Sequence, residues 1–164
     1  MKGFTLIELL VVILIIGILA AAALPSYRVA VGTSRAATMY AFMRAVDQAQ
    51  QHFYMQTNRY ATNLDSLVIA MPAGFTKVSP ARISSKDMSC FIMTNWGPAN
   101  ISIKCEELKN HVVLEKYHKN TYYICWAGQN DTLANRICQN LSGNDTPNCK
   151  GIDGDSHNCY RFKN

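Results

Sequence analysis

Hydrophobic and polar positions divide the chain into three regimes. From Phe4 to Leu24 it is apolar except for Thr5 and Glu8. As a helix rising about 1.5 Å per residue, this run spans roughly 30 Å, the thickness of a bilayer's hydrocarbon core. Over residues 26 to 58 the unbroken run gives way to helical spacing, with apolar residues at Met39, Phe42, Met43, Val46, Ala49 and Phe53 and Ala36 one turn earlier. Arg35, Thr38, Arg44, Asp47, Gln48 and Gln51 fall mostly elsewhere around the axis. The pattern predicts one long helix, apolar in its first half and amphipathic in its second, whose apolar stripe packs on a head domain. Ala36, Ala37, Ala41, Ala45 and Ala49 raise helix propensity. Pro25 has no N–H and clashes with the carbonyl four residues back, so a bend or local melting is expected near Ala21, with Gly17 and Gly32 as further soft points.

The third regime alternates. Residues 57 to 87 read as a connection, with a helical turn within Asn63 to Ile69 and breaks at Met71-Pro72-Ala73-Gly74 and Ser79-Pro80. Four strands are predicted: Met88 to Thr94, Ile101 to Cys105, Val112 to Tyr117 and Thr121 to Ala127. Trp96-Gly97-Pro98-Ala99-Asn100 reads as a hairpin loop and His118-Lys119-Asn120 as a tight connection. Such short links favour antiparallel neighbours. A short helix is expected from Asp131, as N-cap, to Asn140, ended by Ser142-Gly143. The tail from Asn144 is too polar to fold alone and needs a staple. The predicted fold class is α+β: a long N-terminal helix on a small antiparallel sheet of three or four strands, with a disulfide-stapled C-terminal region.

Composition refines this picture. The 164 residues suffice for one small domain plus a membrane helix. The net charge of +5 is spread along the chain with no polybasic run, so it permits contact with DNA or another anionic ligand without pointing to one. All six cysteines, Cys90, Cys105, Cys125, Cys138, Cys149 and Cys159, lie in the second half. An even number in a small exported domain reads as disulfides. Six cysteines allow 15 pairings, and the sequence does not choose among them. Our expectation is sequential pairing, each bridge closing a loop of about ten to fifteen residues worth about 3 kcal/mol in the chain-entropy model. Zinc is the weaker alternative, because no CxxC pair occurs.

Glu8 does not fit a plain membrane anchor. A carboxylate near the bilayer centre costs about 2.5 kcal/mol or more, and an acid in an apolar helix usually has a specific partner. An ordinary secretory signal, with Lys2 as its basic region and Ala20-Ala21-Ala22 before the cut, leaves Glu8 unexplained, as does a single-span anchor. Gly3-Phe4-Thr5-Leu6-Ile7-Glu8, with Pro25 and Tyr27 beyond, resembles the N-terminus of type IV prepilins and type II secretion pseudopilins.

The resemblance covers about the first 30 residues. It implies cleavage between Gly3 and Phe4 by a prepilin peptidase, which also methylates Phe4. Assembly contacts would then involve Phe4, Thr5 and Glu8, with Pro25 bending the helix. The chain would divide into a leader (1–3), a membrane and filament-core helix (4–25) and a head (26–164). In a staggered bundle the Glu8 carboxylate of one subunit can meet the Phe4 amine of the next, so that neither charge is buried alone and axial register is set. Other partners implied are copies of the same chain, other pilins, an assembly platform and its ATPase. Localisation would run from the bacterial inner membrane to an extracellular pilus or a periplasmic pseudopilus.

Catalytic chemistry is not argued by any spacing. His52, His111, His118 and His157 are scattered, and no phosphate-binding loop occurs. Asp153, Asp155 and Asn158 offer calcium-type oxygen ligands, but the distal glutamate of an EF-hand loop is missing, and a solvated turn is the preferred reading. The expectation is a structural subunit, neither an enzyme nor cofactor-bound, that polymerises through its N-terminal helix. The alternatives are a secretion pseudopilin and a membrane-anchored DNA- or ligand-binding module that does not polymerise.

Overall fold

A computed structural model describes residues 5–94, 101–149 and 156–162. Helix α1, Leu6–Thr57, runs 52 residues, about 78 Å at 1.5 Å per residue. It continues through Pro25 without the local melting expected near Ala21. One missing amide bond is a small fraction of so long a ladder. The helix ends at Asn58, whose left-handed conformation (φ 54°) returns its N–H to the Tyr54 carbonyl.

Beyond a 3₁₀ turn at Leu64–Ser66 lies one antiparallel sheet of seven strands, in chain order. They are β1 (Thr76–Ser79), β2 (Arg82–Ser84), β3 (Met88–Thr94), β4 (Ile101–Glu107), β5 (Val112–Tyr117), β6 (Ile124–Gly128) and β7 (His157–Arg161). Helix α2, Thr132–Ser142, separates β6 from β7 and is capped by the Asp131 carboxylate on Ala134 N (2.9 Å) and by Gly143 at φ 73°.

The sheet has three more strands than the larger of the two counts expected. β1 and β2 fall inside the stretch read as a connection. They are short and polar, and Ile83 is their one fully covered side chain, so neither shows alternation. Each is held by its neighbour: β1 pairs with β2 across a bulge between Lys77 and Ser79, and β2 pairs with β3. β7 comes from the polar tail and is paired along its whole length with β6. β6 itself starts at Ile124 rather than Thr121. The hairpin loop expected at Trp96 to Asn100 lies outside the described residues.

The core sits between one face of the sheet and the second half of α1. Gly32, Ala36, Met39, Met43, Val46 and Gln50 are buried at steps of four, three, four, three and four, the seam of a helix packed on one surface. Ile92, Ile103, Cys105, Val112, Leu114 and Cys125 meet them from the sheet. The sulfurs are bonded Cys90–Cys105, Cys125–Cys138 and Cys149–Cys159. The first staples β3 to β4, the second fixes α2 on β6, and the third ties the segment after α2 to β7.

Candidate functional site

Two regions carry chemistry that the fold itself does not consume: the projecting half of α1, and its junction with the head. Every described residue of α1 from Leu6 through Arg28 is exposed. Leu6, Leu9, Ile13, Ile16, Ile18 and Leu19 each show half or more of their surface. The helix is long and apolar enough to cross a membrane, and none of its most apolar stretch is buried among the described residues. Roughly 25 cal/mol per Å² of apolar surface would be recovered by covering it.

Glu8 is held locally. Its Oε2 accepts from Thr5 N (2.9 Å) and Thr5 Oγ1 (2.7 Å), and Glu8 N donates to Thr5 Oγ1 (3.4 Å). Thr5 and Glu8 thus form a reciprocal capping box on the first turn of α1. Sequence reasoning paired Glu8 with a partner outside the chain and missed this cap, although Thr-x-x-Glu at the start of an apolar run is its signature. Gly3 and Phe4 lie outside the described residues.

At the junction, charged residues that the helical pattern placed on the outer side of α1 reach across to the sheet. Arg35 bridges Glu107 (3.2 Å), whose side chain is almost fully buried, and Asp87 (3.5 Å). Lys109 also holds Asp87 (3.0 Å), and its hydrogen bond is the main reason the Asp87 carboxyl lies below its ordinary value.

Asp47 takes Lys116 Nζ at 2.5 Å and His118 Nδ1 at 3.3 Å, with Tyr123 OH at 3.5 Å. Burial by itself would raise the Asp47 pKa. Hydrogen bonds from His118 and Lys116, with their charge, more than offset this and hold it below the ordinary carboxylate value. Burial and then the Asp47 charge push the Tyr123 phenol up. With Nδ1 facing Asp47, His118 Nε2 is buried without a hydrogen-bond partner among the described residues. Tyr60 stacks on that ring at 5.2 Å.

Gln50, fully buried in the apolar stripe, bonds both Ala61 N and Ala61 O at 2.8 Å and so fixes the chain where it leaves α1. The sequence signal for these anchors was weak. Arg35 and Asp47 look like solvated helix residues until the sheet brings Glu107 and Lys116 to them, and nothing in the sequence marks Gln50 as the partner of Ala61.

Of the calcium candidates, Asp153 and Asp155 lie outside the described residues. Asn158 is in β7, where its amide donates to Asn135 Oδ1 (2.7 Å). Among the described residues no three acidic, histidine or cysteine side chains converge as metal ligands.

A profile described as the prokaryotic N-terminal methylation motif matches residues 1–24. The chain is 44% identical over 73 residues to a type IV major pilin protein, PilE1, of Neisseria gonorrhoeae, a stretch covering 43% of each chain. It is 36% identical over 73 residues to the type IV major pilin protein PilA of Myxococcus xanthus, covering 44% of this chain and 33% of that one. A fimbrial protein of Neisseria meningitidis is 44% identical over 71 residues, 42% of this chain and 41% of that one. The match thus spans less than half the length of each of these relatives. No solved structure matches the chain significantly. The motif and these likenesses point to the type IV pilin family.

Proposed function

We propose, from that family likeness, that the chain is the subunit of a type IV pilus-like filament, inserted in the inner membrane, cut after Gly3, N-methylated at Phe4 and polymerised through α1. One observation carries the reading. An apolar helical rod about 30 Å long projects uncovered from a head with its own buried core. Such a surface must be covered. Lipid covers it before assembly, and the same rod of neighbouring copies covers it afterwards. The only acidic group on the rod, Glu8, sits one turn from its tip, where a new N-terminal amine at Phe4 would neutralise it in the next subunit. Thr5 would act beside them, as the cap that holds Glu8 on the first turn. The relatives named above are major pilins or a fimbrial protein, which favours a pilus over a secretion pseudopilus.

Mass spectrometry of the mature N-terminus, from membranes and from sheared surface material, tests this. N-methyl-Phe4 in the sheared fraction is the expected result. The same end confined to membranes would move the chain to a pseudopilin or minor component. An uncut Met1, or a start near Ser26, would return it to the plain-anchor or secretory-signal class.

A further inference from the structure

Where α1 meets the segments just before β6 and just after β7, a half-open cavity of about 360 Å³ lies beside the Asp47 cluster. Its size falls near the lower end of small-ligand sites, roughly 300 to 1,000 Å³. Three aromatic rings line it: Tyr40 stacks on Phe162 at 4.8 Å and meets Tyr123 edge-on at 4.9 Å. Arg44 and Gln48, one turn apart on α1, and Thr121 before β6 supply the polar groups, and all three are exposed. Asp47 reaches the cavity but is already paired with Lys116 and His118. Arg44 forms no ion pair among the described residues, so the cavity offers one uncommitted positive charge over an aromatic wall.

We propose that this cavity binds a sugar residue bearing a carboxylate, such as a hexuronate. The aromatic wall suits the apolar C–H face of a pyranose. Gln48 and Thr121 can each donate to and accept from ring hydroxyls. The planar guanidinium of Arg44 can take a carboxylate through two parallel hydrogen bonds. Among the described residues the cavity offers a single free cation, which does not match a polyanionic backbone, whose capture needs several. The committed state of Asp47 removes the acceptor that a cationic ligand would require. The inference stands apart from the filament reading, since it uses only groups on the head.

Saturation-transfer NMR on the full chain in a sugar-free zwitterionic detergent tests the assignment, with methyl β-D-glucuronide and methyl β-D-glucoside as probes. The glucuronide should bind, and the glucoside should bind about tenfold more weakly, the factor that corresponds to 1.4 kcal/mol. Arg44→Gln, an exposed change that leaves the core intact, should bring the glucuronide down to the glucoside's level. Lys86→Gln, which removes one exposed charge beside Asp87 rather than at the cavity, should leave the preference unchanged. The proposal is overturned by transfer to neither sugar, by equal binding of both, or by an equal loss in the two variants.

Discussion

Gly32 of α1 lies directly beneath Ile137 of α2. A Cβ on Gly32 would overlap Ile137 Cδ1 and stand 3.1 Å from Ile137 Cγ1 and from Asn110 Nδ2. Ile137 is completely buried. The glycine therefore acts as the recess that lets α2 approach α1, rather than as the soft point its sequence context predicts.

Gly32→Ala should destabilise the head by about 1 kcal/mol, because overpacking costs about 1–3 kcal/mol against a helix-propensity gain of up to about 1 kcal/mol. Ile137→Val removes the overlapping Cδ1. In that background Gly32→Ala should become neutral or stabilising. Thermal unfolding of the detergent-solubilised chain, followed by near-UV circular dichroism, completes the double-mutant cycle. An equal cost in both backgrounds would mean that the recess plays no part.

Among the described residues Asp47 is the one carboxylate serving Lys116 and His118, which are both buried. Asp47→Ala leaves them unpaired and should cost about 3 kcal/mol, the lower end of losses on breaking a buried pair. The pH dependence has a definite sign. The folded-state pKa of Asp47 lies below its ordinary value of 3.8. Its contribution is therefore full above that value and is lost as pH falls through the depressed folded pKa. The stability difference between the native chain and Asp47→Asn should be constant at neutral pH and shrink only in acid below the ordinary value. A difference that shrinks between pH 5 and 7 would contradict this assignment.

Glu8 offers a separation of two roles. Glutamine also completes a Thr-x-x-Glu/Gln capping box but carries no charge. Glu8→Gln should therefore preserve helix α1 and membrane insertion while reducing filament yield as severely as Glu8→Leu. Sheared-filament yield, set against the membrane fraction by immunoblot, reads both. Wild-type yield from Glu8→Gln would assign Glu8 to the cap alone.

How much was legible in the sequence depended on whether a signal was local. Period and run length marked α1, because the apolar run and the stripe from Ala36 to Val46 repeat on the helix's own geometry. Cap chemistry marked both ends of α2, where Asp131 and Gly143 act within one turn. The four central strands carried enough buried apolar residues to be read. The six residues from Gly3 to Glu8 pointed to the assembly class, because such a motif is a linear string. The tertiary structure decided the rest. β1, β2 and β7 are strands because a neighbour supplies their hydrogen bonds, and their own side chains do not require it. Arg35 and Asp47 changed from polar residues off the apolar stripe to anchors once the sheet placed Glu107 and Lys116 against them, and Gln50 became one through the Ala61 backbone beyond the end of α1. Gly32 gained its role from Ile137, 105 positions away in sequence. In each case the deciding partner lies outside the element concerned, and burial turns a polar group that water would satisfy into one that only that partner can.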